Sequence, residues 1–120
     1  MKSTKLAVPS PAATVTLIRD APRGLEVLML KRSLSLAFMP GVHVFPGGAL
    51  DAGDDAPGLH ALCVGLDDSA ASRALGLERG GLAYWIAAIR EAFEEAGILL
   101  AYDAGGGIVP LSEATAERYR

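Results

Sequence analysis

Hydrophobic and polar positions along the chain change period several times, and each change marks an element. "AATVTLIRD" (12–20) and "GLEVLMLKRS" (24–33) are rich in β-branched and aliphatic residues and predict two strands, with the proline and glycine of "APRG" supplying the turn of a β-hairpin. Pro40 and Gly41 break the pattern, after which "VHVF" predicts a short strand entering "PGGALDAGDD", a loop dense in glycine and aspartate. Across residues 55–80 the signal is weaker. Pro57 opens a helical turn, and Asp68 or Ser69 is placed to cap an alanine-rich helix.

From Gly81 the period becomes helical. Leu82, Trp85, Ile86, Ile89 and Phe93 recur at steps of three and four, and Gly97 stands where a C-cap belongs. "ILLAY" (98–102) predicts a strand, "DAGGGIVP" a flexible loop, and "LSEATAERYR" the opening of a helix capped by Ser112. The polar, proline-bearing residues 1–11 read as a loose leader and residues 12–120 as one domain, with a helical segment inserted at about 55–80.

At about 100° per residue, Glu91, Glu94 and Glu95 fall nearly opposite the apolar stripe of the last helix. One reading is a solvated face on which Arg90 and Glu94 form an i,i+4 ion pair worth about 0.2–0.5 kcal/mol. Three carboxylates near a helix C-terminus also repel one another and face the negative end of the macrodipole, at about 0.3–1 kcal/mol each. A hard divalent cation would compensate them, since it takes oxygen ligands and residues at i, i+3 and i+4 present theirs in one small volume. Gly47 and Gly48 allow backbone to approach a metal or phosphate closely, or simply make a tight turn.

Composition narrows the partners. With 120 residues, 51% of them hydrophobic, the chain has material for one modest core. Eleven basic residues against 14 acidic, both spread along the chain, create no field for nucleic acid and no polybasic patch for a membrane surface. The lone Cys63 has no internal disulfide partner and, among apolar neighbours, reads as a small packing side chain in a reducing compartment. No apolar run approaches the roughly 20 residues of a membrane helix, and a cytoplasmic protein is expected. His43 reads as sheet packing and His60 as a surface or helix residue; neither has the sequence spacing of a zinc site.

Together these elements resemble the Nudix hydrolase signature, G-x5-E-x7-R-E-U-x-E-E-x-G-U with U aliphatic. "REAFEEAGI" (90–98) matches its second half, with Ala92 a minimal aliphatic choice; Gly48 takes the first glycine position, and Asp54 stands where the family has glutamate. Between Asp54 and Arg90 lie 35 residues in place of seven, so the box is split. The stretch "LMLKRSLSLAFMPGVHVFPGG" is also similar to the coenzyme A diphosphatase pattern L-L-T-x-R-S/A-x3-R-x3-G-x3-F-P-G-G. Arg32, Ser33, Gly41 and Phe45 to Gly48 fit its spacing, while Leu30 replaces the threonine and Ala37 the second arginine. The split box resembles the branch containing peroxisomal-type coenzyme A diphosphatases.

The resemblance implies an α/β/α sandwich with a mixed sheet, a helical insertion inside the box and an incomplete C-terminal part. It implies a Mg2+- or Mn2+-dependent diphosphatase acting on a small nucleoside-diphosphate derivative, with coenzyme A and its thioesters first. Glu91, Glu94 and Glu95 would hold the metal, Glu91 would orient or deprotonate water, and Arg90 would hold the glutamates. Arg32, Phe45, Gly47 and Gly48 would meet substrate. The alternatives are a non-catalytic Nudix-fold module that binds a nucleotide or protein, an inactive fragment, and an α/β domain with solvated glutamates. A homodimer formed through an exposed sheet edge is a further expectation.

Overall fold

The computed structural model describes residues 6–35 and 39–109. Six short strands come first: β1 (Ala12–Thr14), β2 (Ile18–Ala21), β3 (Gly24–Val27), β4 (Leu30–Lys31), β5 (His43–Val44) and β6 (Gly47–Ala49). A 3₁₀ turn (Ala52–Asp55) and three helices follow: α1 (Pro57–His60), α2 (Asp68–Leu75) and α3 (Leu82–Ala96).

Each of the two long predicted strands divides its length between two partners. In the first, Ala13 and Thr14 pair with Gly48 and Gly47 of β6, and Val15 N–H still reaches the Pro46 carbonyl at 2.9 Å. Two residues later, Leu17 accepts from Leu28 N–H and β2 pairs with β3 from Ile18↔Val27 to Ala21↔Gly24. The second run then leaves β2, and Leu30 and Lys31 pair with Val44 and His43. Apolar pattern alone marks a run as extended; which neighbour satisfies each backbone group is a tertiary matter. The ladders form three two-stranded antiparallel sheets, and no parallel pair occurs among the described residues where the resemblance implies a mixed sheet.

Four expectations are corrected. Gly47 and Gly48, read as part of a loop, lie in β6, and Ala52–Asp55 is a 3₁₀ turn capped by Asp51. The N-cap of α2 is Asp67, whose carboxylate accepts from Ala70 N–H at 2.7 Å, one residue earlier than expected. "ILLAY" forms no strand, because a strand requires a ladder and only Tyr102 finds a bridge partner, Ile108. The intervening glycine loop is organised by Asp103, which accepts from Gly105 and Gly107 N–H groups. The helix expected in "LSEATAERYR" lies outside the described residues.

Helix α3 matches its periodicity and ends at Gly97, which adopts the left-handed conformation (φ 67°) and donates to the Phe93 carbonyl. Its buried face is rotated from the expected stripe. Leu82 and Ile86 are buried as predicted, but Ala83, Ala87 and Ala92 complete the face while Trp85 is 38% exposed. Alanines let β6, β1 and α2 approach the helix closely, displacing the bulky indole outward. Ala71, Leu82 and Ile86 form the core cluster, with Cys63 and Leu66 packed against it. His43, expected in sheet packing, is exposed on β5.

Candidate active site

The C-terminal half of α3 carries the candidate chemistry, and Arg90 is its hub. Its Nε and one Nη donate to the two carboxylate oxygens of Asp54 at 2.9 and 3.0 Å. That second Nη also donates to the Ala49 carbonyl at 3.1 Å. The other Nη donates to Glu91 at 3.0 Å and to Glu94 at 3.1 Å. The planar fork thus engages β6, the 3₁₀ turn and two carboxylates of its own helix, a bidentate geometry that lysine cannot reproduce. The i,i+4 pair with Glu94 expected from spacing is present, as one spoke of this larger arrangement.

Asp54 is the partner that local sequence does not announce. Its side chain is 2% exposed, and besides Arg90 it accepts from Asp51 N–H at 2.8 Å, while Asp51 caps the same turn by accepting from Gly53 N–H. The Arg90 guanidinium holds the Asp54 carboxyl below the usual carboxylate range, against the opposing effect of burial. In turn, Asp54 first and Glu91 second raise the Arg90 pKa. The clue in the sequence is position: Asp54 stands where the split motif places its first glutamate.

The glutamates meet strand β6 at its two glycines. Glu95 accepts from Gly47 N–H at 3.0 Å. A methyl group at Gly48 would intrude on the Glu91 carboxylate, and one at Gly47 would strike the Ala13 carbonyl oxygen. Backbone and carboxylate therefore approach as closely as the absence of side chains allows. Glu91 is half-buried, whereas Glu94 and Glu95 are exposed. In each glutamate one oxygen makes these hydrogen bonds, Oε1 of Glu91, Oε2 of Glu94 and Oε1 of Glu95. The three glutamates share one end of the helix, but among the described residues they do not bring one carboxylate oxygen each within 4.8 Å of one another, so the expected metal triad is not drawn together here.

The remaining candidates lie upstream. Arg32 is half-buried just past β4, where its backbone exchanges hydrogen bonds with Val42 and Gly41. Phe45 is partly exposed beside the buried Pro46, between β5 and β6. A second group also has the composition of a metal site: Asp55, His60 and Asp68 place one donor atom each within 4.8 Å of one another. His60, unremarkable by spacing, contacts Asp55 at 3.0 Å. Both Asp68 oxygens, however, already accept backbone N–H groups.

No family model matches the chain. The fold is Nudix-like. A Nudix hydrolase of Alicyclobacillus acidocaldarius superposes with a TM-score of 0.63 at 31% identity, covering 93% of this chain and 49% of that one. In sequence, the chain is similar to the acyl-coenzyme A diphosphatase of Homo sapiens, 40% identical over 100 residues, and to that of Gallus gallus, 39% identical over 99. The aligned segments cover 64% and 66% of this chain. The chain spans about a quarter of the length of these curated relatives, 27% and 26% respectively. Among the described residues no helix is long and apolar enough to cross a membrane.

Proposed function

We propose that this chain carries the catalytic helix of a hydrolase that cleaves the diphosphate linkage of a small nucleoside-diphosphate derivative, with coenzyme A or an acyl-coenzyme A as the foremost substrate class. The observation that carries the reading is the seating of Glu91 and Glu95 against the Gly47–Gly48 strand, with Arg90 bonded to Asp54, Glu91 and Glu94. An amphipathic helix with merely solvated glutamates has no need of a buried aspartate 36 positions away to orient its arginine. The named relatives and the split motif support the same reaction class.

Glu91, Glu94 and Glu95 would hold Mg2+ or Mn2+, which when bound supplies charge neutralisation for the diphosphate and a more acidic water. One guanidinium nitrogen of Arg90 bonds both Glu91 and Glu94, so their repulsion is offset before any cation arrives. Glu91, half-buried and closest to the strand, is the residue placed to orient the attacking water or accept its proton. The side-chain-free backbone of Gly47 and Gly48 leaves room for a diphosphate to approach the glutamates, and Arg32 would contribute a guanidinium for phosphate oxygens. Phe45 adds an apolar surface beside them.

Manganese-dependent hydrolysis of coenzyme A, with 3',5'-ADP and 4'-phosphopantetheine as products, tests the reading. Glu95→Gln and Glu94→Gln should each lower turnover by at least about 100-fold, the scale of a lost electrostatic contact in an active site. Hydrolysis that survives both substitutions would overturn it. Nucleotide binding without turnover, indifferent to Glu91→Gln, would instead establish a binding module.

A further inference from the structure

Helix α3 starts without a cap of its own. Its N-cap residue is Gly81, which has no side chain to accept from the exposed N–H groups of the first turn. The acceptors come from α2, on the segment interposed in the motif. Asp68 takes Leu82 N–H on one oxygen at 3.1 Å and Gly80 N–H on the other at 3.0 Å, and Ser72 Oγ takes Gly81 N–H at 2.8 Å. Three consecutive amides are thereby satisfied from a helix nine to fourteen positions upstream. Ser72 is 1% exposed, and an added carbon at Gly81 would strike the Ser72 backbone, so the two backbones touch.

The segment is also tied to α3 at its other end, through Asp54 and Arg90. A helix bonded before its first turn and again at Arg90 must break one set of these bonds to rotate about its axis or slide. Those are the two freedoms that would carry Glu91 and Glu95 away from Gly48 and Gly47.

We propose that the interposed segment is a splint for the glutamate helix, in which Asp68 and Ser72 are positioning residues that set where Glu91 and Glu95 meet strand β6. The proposal rests on the diphosphatase reading only for its kinetic readout; the positional readout is independent of it. The Gly47 amide is the reporter, because its proton is held by the Glu95 carboxylate.

Amide exchange at Gly47 would be followed by NMR in the full chain and in Asp68→Ala, with Glu95→Ala marking complete loss of the contact. Asp67→Ala is the control, since Asp67 caps α2 itself through Ala70 and has no bond to α3 among the described residues. Asp68→Ala should speed Gly47 exchange by at least about fivefold and Asp67→Ala by less than about twofold, both well below the unfolding transition. With coenzyme A as substrate, Asp68→Ala should lower kcat and leave KM within about twofold. Equal effects of the two substitutions, or an unchanged Gly47 in Asp68→Ala, would overturn the splint. Absence of any hydrolysis by the parent would sink the diphosphatase reading and leave the Gly47 comparison standing. If Asp68→Ala does not fold, Ser72→Ala and Asp68→Asn, which each keep part of the cap, must order themselves by bonds lost, and failure to do so overturns the proposal equally.

Discussion

Around the C-terminal half of α3, polar groups are gathered, partnered and partly buried; in the β2–β3 hairpin, large apolar side chains face outward. Asp54 is buried against Arg90, and every buried side-chain polar atom among the described residues has a partner. Ile18 and Leu25, by contrast, are 63% and 69% exposed, and all of β3 is open to solvent. The hairpin's ion pair, Arg19 to Glu26, is also an exposed one. The two regions show that the site is complete in its internal bonds while the hairpin holds apolar surface that no described residue covers. Residues that pair within this segment build the site, and the hairpin pairs chiefly with itself.

The sharpest way to break that comparison is at Asp54. Asp54→Ala leaves the Arg90 charge half-buried without its main partner, and a loss of about 3 kcal/mol of stability in urea unfolding is expected. The pH dependence follows from the same pair. Because the folded-state pKa of Asp54 lies below its ordinary value of 3.8, its contribution is complete above that value and disappears as pH falls through the folded-state value. Melting temperatures between about pH 2 and 7 should therefore fall less steeply at the acid end in Asp54→Ala than in the parent. A parallel decline would mean that Arg90 does not hold Asp54 in solution.

Gly48→Ala comes next, and it separates chemistry from stability. The added methyl meets the end of the Glu91 side chain, which can swing aside, so the fold should lose under about 1 kcal/mol. Turnover should nevertheless fall by about tenfold or more, because the displaced group is the one proposed to orient water. The smallest effect belongs to the hairpin. Arg19→Ala removes an exposed pair whose side chains are 79% and 52% accessible, and chemical denaturation should register less than about 1 kcal/mol. A larger loss would show that the hairpin is more tightly integrated than its exposure indicates.

Much of this was legible in the residues, and what was hidden had one physical origin. Helix α3 declared itself through Leu82 and Ile86 and through the terminating Gly97, all local signals. The glutamates and Arg90 stood in a recognisable motif. What local pattern could not supply was the partner of each group across the chain. Gly47 and Gly48 carry every mark of a turn, yet β1 and Glu95 hold them as a strand. Trp85 sits on the apolar period, but the alanines beside it permit closer packing and leave the indole outside. Asp68 and Ser72 resemble ordinary polar positions of a short helix until Gly80, Gly81 and Leu82 return to them.

The Asp54–Arg90 pair has a consequence for how such a motif lengthens. The two residues meet through side chains in space, and 35 residues now separate them along the chain where the unbroken signature has seven. Closing a loop five times longer costs only about 1.4 kcal/mol, since closure entropy grows with the logarithm of length. The signature is thus a spatial object that tolerates growth at one seam. New chain can enter between the aspartate and the arginine as long as both ends return to the same guanidinium, and a segment admitted there begins its history already touching the glutamate helix.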